Sequence, residues 1–110
     1  MNEFDIKAAE WDMNPMHTDR SVAIAREIME KIPLNKEMNV LEYGAGTGIT
    51  SFILREHVRE ITLMDSSEEM VRVTNEKIKS LNVKNLRSLF FDLETNDFHG
   101  KTFDLILLKW

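Results

Sequence analysis

The 110-residue chain has no cysteine, two prolines and four glycines, and no apolar run approaches the roughly 20 residues needed to span a bilayer. Without cysteine, a disulfide framework, a thiolate metal site and a thiol nucleophile are all excluded. So little proline and glycine rules out a collagen-like or low-complexity chain. Apolar residues make up 43% and charged residues 30%, the composition of one small globular domain rather than of a disordered segment. A basic excess is missing as well. Fourteen Lys and Arg stand against 19 Asp and Glu, a formal net charge of −5, which disfavours nucleic acid as the main partner and favours a small molecule. The N-terminus, MNEFDIKAAEWD, is acidic where a secretion signal would be basic and then apolar, so the expected setting is the cytoplasm, with no membrane partner.

What is present is an alternation of helical and extended patterns. Phe4, Ala8 and Trp11 have helical spacing, and residues 12–17 read as a loop. Thr18 or Asp19 can cap a second helix whose apolar positions, Val22, Ala25, Met29 and Ile32, recur until Pro33. Residues 38–43 form a short strand, residues 49–58 a helix, and residues 61–65 a second strand ending at Asp65. Ser66, three residues before Glu69, makes a capping box for a helix whose buried stripe is Met70, Val71, Thr74, Ile78 and Leu81. Residues 86–91 and 103–108 complete four strands. Strands alternating with helices imply parallel pairing, hence an open α/β sheet with flanking helices and a ligand site at the carboxyl ends of its strands. The expected division is a helical cap over residues 1–36 and an α/β core over residues 37–110.

Three of the four glycines fall in Gly44-Ala45-Gly46-Thr47-Gly48, between a strand and a helix. At about 7% glycine usage such a cluster arises by chance in roughly 3% of chains this long, so it decides nothing alone. It serves either as a tight turn needing positive φ or as a place where backbone approaches a ligand, with free N–H groups at the helix start. Three carboxylates narrow the choice. Glu42 precedes the cluster, Asp65 lies 21 residues after Gly44, and Asp92 follows the third strand. A carboxylate ending the second strand is where a ribose diol is held, because its oxygens accept both hydroxyl protons. A dinucleotide fingerprint would need glycine at position 49, which is Ile49, and Glu42 would repel a pyrophosphate while suiting an amino group. The ligand that fits is a nucleoside carrying a cation.

In these residues the chain resembles the class I S-adenosylmethionine-dependent methyltransferases. VLEYGAGTG is similar to that family's first motif, ITLMDSSEEMV to its second-strand motif, FFDLE to its third and FDLILL to its fourth strand, while FDIKAAEWD is similar to the small-molecule, quinone-biosynthesis-like branch. The resemblance implies a Rossmann-like methyltransferase fold, S-adenosylmethionine as cofactor and SN2 transfer of its methyl group. It implies that Gly44, Ala45 and Gly46 face the methionine portion and that Glu42 helps to place the ammonium. Asp65 would then bind the ribose hydroxyls, Met64, Ser66 and Met70 would border the adenine, and Asp92 would accept from the adenine amino group beside the Leu93 N–H. Trp11 is a candidate cover of the pocket, since an aromatic face attracts a sulfonium, though a helix also buries tryptophan as core. No catalytic residue follows from the motifs.

Two other readings stay open at this point, an NAD(P)-dependent oxidoreductase and a non-catalytic S-adenosylmethionine-binding interaction module. His17, His57 and His99 lack the spacing of a metal site, so no metal is expected. Arg20 and Lys109, near the expected cleft mouth, read as solvated charges. The family sheet has about seven strands and this sequence supplies four. The apolar fourth strand is of the kind covered on both faces, so a cofactor-binding half is expected, truncated after that strand. Its edge would be completed by further sequence, by a partner or by a homodimer.

Overall fold

A computed structural model of the chain describes residues 15–92 and 102–108. The element order is α1 (Pro15–Lys31), β1 (Asn39–Tyr43), α2 (Ile49–Leu54) continued by one 3₁₀ turn (Arg55–His57), β2 (Glu60–Asp65), α3 (Glu68–Ser80), β3 (Leu86–Phe90) and β4 (Leu105–Leu108). The strands form one sheet in the order β3-β2-β1-β4, and every pair is parallel. This is the Rossmann-like open sheet expected from the alternation of patterns. The first expected helix, with Phe4, Ala8 and Trp11, lies outside the described residues. Among the described residues, no helix is long and apolar enough to cross a membrane.

Register assigns the side chains to two faces. Val40 pairs with Ile61 and Leu105, Glu42 with Leu63 and Leu107, and Ile61 with Leu86, so these residues share one face. There they join Ala25 and Ile28 of α1, Leu54 of α2 and Ile78 of α3 in a single apolar cluster. Each large side chain fully buried in such a cluster contributes roughly 1.5–3 kcal/mol. The other face carries Leu41, Thr62, Arg87 and Ile106 in one row and Tyr43, Met64, Leu89 and Leu108 in the next.

Several element ends differ from expectation for local reasons. Helix α1 begins at Pro15 rather than at Thr18 or Asp19, because proline's fixed φ and missing N–H suit a first helical position. Its buried positions are Ser21, Ala25 and Ile28, one step round from the expected stripe, and Met29 is exposed. The cap of α3 is Ser67, not Ser66: Ser67 is extended and its hydroxyl accepts from the Met70 N–H at 3.3 Å. Leu81, expected in the buried stripe, is exposed. Asn82 at φ 53° reverses the chain after it, with Asn82 N–H donating to Lys79 O and Val83 N–H to Ile78 O, so Val83 packs on the core instead. Strand β4 is shorter than expected. Asp104 anchors its start by a reciprocal pair with Asn39, 2.8 Å in each direction. As expected for a strand whose covering elements lie outside this sequence, Leu105 and Leu107 are half-buried while Ile106 and Leu108 are exposed.

Candidate functional site

The strand register aligns the carboxyl ends of β1, β2 and β3. Tyr43 pairs with Met64, Met64 with Leu89, and Asp65 with Phe90, so the glycine loop, Asp65 and Asp92 emerge at one edge of the sheet. The loop needs its glycines. Gly44, Gly46 and Gly48 have φ of 76°, 59° and 79°, a region that side chains with a Cβ rarely adopt. At Gly48 the space is closed too, since an added Cβ would stand 2.6 Å from Leu63 Cδ2. The cluster is a tight turn, and it lies across the strand ends.

The loop is bound to β2 by its own backbone. Gly44 N–H and Ala45 N–H donate to Met64 O at 2.8 and 3.2 Å, and Gly48 N–H donates to Ala45 O at 3.0 Å. Gly46 N–H donates to Asp65 Oδ2 at 2.9 Å. The N–H groups of Gly44, Ala45, Gly46 and Gly48 are thus spent inside the fold, and the donors expected at the helix start are those of the first turn of α2, residues 49–51. Ala45 is buried in the core cluster. Thr74 of α3 donates its hydroxyl to Gly46 O at 2.9 Å, fixing the loop from the helix side.

Asp65 is half-buried, and its second oxygen, Oδ1, accepts from Ser67 N–H at 2.8 Å. Each oxygen takes one backbone donor, and an ionised carboxylate has about four lone-pair sites, so capacity for two hydroxyl protons remains. That is the donor demand of a ribose diol. Glu42 is different. Its carboxylate is fully buried on the helix-covered face, where Oε1 accepts from the Ser51 hydroxyl at 2.6 Å. Met64 is buried, Met70 half-buried, Ser66 exposed and Asp92 half-buried. Leu93 and Trp11 lie outside the described residues. Arg20 and His57 are exposed, and no cluster of metal-binding side chains occurs among the described residues.

Two contributors, Ser51 and Tyr43, escape a reading by spacing, while for Thr74 the spacing gives the buried position but not the bond to Gly46 O. Ser51 and Thr74 occupy fully buried helix positions as polar residues. Tyr43 donates its hydroxyl to Phe91 O at 3.2 Å, joining residues 48 positions apart, and nothing in its spacing announces that.

Comparison with known proteins places these features in a family. The family profile described as a methyltransferase domain matches residues 34–109. An uncharacterized methyltransferase of Schizosaccharomyces pombe is 33% identical over 63 residues, 57% of this chain and 22% of that protein. An uncharacterized methyltransferase of Staphylococcus carnosus is 36% identical over 67 residues, 61% of this chain and 31% of that protein. The chain therefore spans less than a third of the length of these curated relatives. Among solved structures, phosphoethanolamine N-methyltransferase 1 of Haemonchus contortus, in complex with phosphoethanolamine and S-adenosylhomocysteine, shares the fold with a TM-score of 0.71 at 21% identity, over 97% of this chain and 24% of its own.

Proposed function

This chain belongs to the methyltransferase domain family, and on that premise we propose that it binds S-adenosylmethionine at the carboxyl ends of β1, β2 and β3 and serves methyl transfer to a small-molecule acceptor. The observation that carries the reading is the Asp65 carboxylate, held between Gly46 N–H and Ser67 N–H with acceptor capacity left for a ribose. When bound, the cofactor supplies an electrophilic methyl group: an acceptor lone pair forms the new bond to carbon as the carbon–sulfur pair returns to sulfur. The protein's part is to orient the two reactants and to keep them together.

The residues divide that task. Asp65 accepts from the ribose hydroxyls, and its two backbone donors fix the direction of the carboxylate beforehand. Gly44, Ala45 and Gly46 present backbone to the methionine portion. Glu42 reaches no solvent, so its role toward the ammonium is electrostatic and positional, exerted through the loop and α2 rather than by contact. Met64, Ser66 and Met70 border the adenine, and Asp92 accepts from its amino group. Roles for Leu93 beside the adenine and for Trp11 as a cover rest on the sequence alone. Residues 37–110 form the cofactor-binding core and residues 1–36 a helical cap, a division that has to accommodate Ala25 and Ile28 of α1 inside the core cluster. The acidic composition supports a small-molecule acceptor.

Calorimetric titration with S-adenosylhomocysteine tests the reading. Asp65→Ala is expected to weaken binding by about 1–3 kcal/mol, the worth of hydrogen bonds to a charged group. Unchanged affinity removes Asp65 from the site. A melting temperature raised by NAD(H) and not by S-adenosylhomocysteine replaces the reading with a dinucleotide oxidoreductase.

A further inference from the structure

We infer that Tyr43 is a positioning residue for the nucleoside end of the site, acting on Asp92 through the backbone of Phe91; the inference rests on the S-adenosylmethionine reading above. Tyr43 is the last residue of β1, directly before Gly44, in register with Met64 of β2. Strand β3 ends at Phe90, so beyond that residue the ladder no longer dictates where the chain goes. Phe91 is instead held from two sides. Its N–H donates to Asp65 O at 3.1 Å, and its carbonyl accepts the Tyr43 hydroxyl at 3.2 Å from the far side of β2.

That carbonyl belongs to the peptide whose N–H is Asp92's own. Fixing its plane fixes where the Asp92 Cα leaves β3, the point from which the carboxylate side chain starts. Phe91 also donates its N–H, on the preceding peptide, to Asp65 O, so the ribose acid, the adenine acid and the end of the glycine strand are linked through one residue, Phe91. A phenylalanine at position 43 would keep the ring and lose the hydroxyl that bonds Phe91 O. The hydroxyl therefore serves alignment of Asp92, and its effect should be confined to ligands that Asp92 recognises.

Deamination of the adenine offers a test with a built-in control. The affinities of S-adenosylhomocysteine and of its deaminated analogue S-inosylhomocysteine are measured for the wild-type chain, Tyr43→Phe, Asp92→Ala and the double variant, with melting temperatures alongside. Wild type is expected to prefer the adenosyl ligand. Tyr43→Phe is expected to loosen that ligand about 3- to 10-fold, the effect of one lost hydrogen bond, and to leave the inosyl ligand within about twofold. In the Asp92→Ala background Tyr43→Phe should change neither. A Tyr43→Phe chain that keeps the wild-type preference overturns the inference alone, as does equal loosening of both ligands, which marks a general loss of structure. Wild type without preference between the two ligands overturns it through Asp92. Failure of wild type to bind either ligand overturns the S-adenosylmethionine reading, and the inference with it.

Discussion

On the helix-covered face of the sheet, Val40, Ile61, Leu63 and Leu86 are exposed by 3% or less, whereas on the opposite face Leu89, Ile106 and Leu108 are exposed by 39%, 55% and 57%. Both faces carry large apolar residues. What separates them is strand position as well as covering: on the second face the central strands still bury Leu41, Thr62 and Met64, and exposure is confined to the outer strands β3 and β4. The closed face also holds polar contacts that fix the site, Glu42 with Ser51, fully buried, and Gly46 O with Thr74, partly buried. The closed face thus supplies part of the precision at the ligand end of this sheet, beside the Tyr43 bond that starts from the other face, and substitutions of similar size should be felt very differently on the two sides.

The largest effect is expected where the glycine loop meets the closed face. Gly48→Ala must hold alanine at φ 79° and press its Cβ against Leu63, which is fully buried and has little room to move. Left-handed backbone and overpacking together should cost about 2–5 kcal/mol, read from denaturant unfolding midpoints. A loss under 1 kcal/mol would mean that the closed face is more pliable than the contrast between faces requires. Ser51→Ala probes the same face without changing its shape. Withdrawing the hydroxyl from a fully buried carboxylate should cost about 1–3 kcal/mol of stability. An unaffected Ser51→Ala variant would show that the Glu42 and Ser51 pair contributes little to holding α2.

Much of the difference between the faces lies beyond a reading of the sequence. The four strands, three of the helices and the chain's turn at Gly44–Gly48 are visible as changes of period and as glycine spacing, because those depend on neighbours along the chain. Contacts that depend on register are not. The bonds from Gly46 to Asp65 and from Tyr43 to Phe91 require β1 to lie beside β2 with Tyr43 opposite Met64, and no local pattern states that pairing. Adjacent serines show the same limit at close range. Ser66 and Ser67 are equally good caps by composition, and the choice falls to Ser67 because Asp65 takes its N–H and bends the chain there. Asn82 likewise decides against Leu81 and for Val83 as the residue that closes α3, through a left-handed turn that periodicity cannot weigh.

The smallest effect belongs to the open face, and it is the most sensitive test of the contrast. Leu108 pairs with Tyr43 and is more than half exposed, so Leu108→Thr removes little buried apolar area while keeping a residue suited to strands. Stability should change by about 0.5 kcal/mol or less. Because Tyr43 ends the strand next to it, the Tyr43 hydroxyl bond to Phe91 should survive, and affinity for S-adenosylhomocysteine should stay within about twofold of wild type, a difference of less than about 0.5 kcal/mol. The measurement needs a dilution series, since the two explanations of a larger effect differ in concentration dependence. A loss above about 1 kcal/mol that fades on dilution would show that two copies of the chain cover this face in solution. The same loss at every concentration would place Leu108 inside the folded core, and the division of the sheet into a closed and an open face would fail.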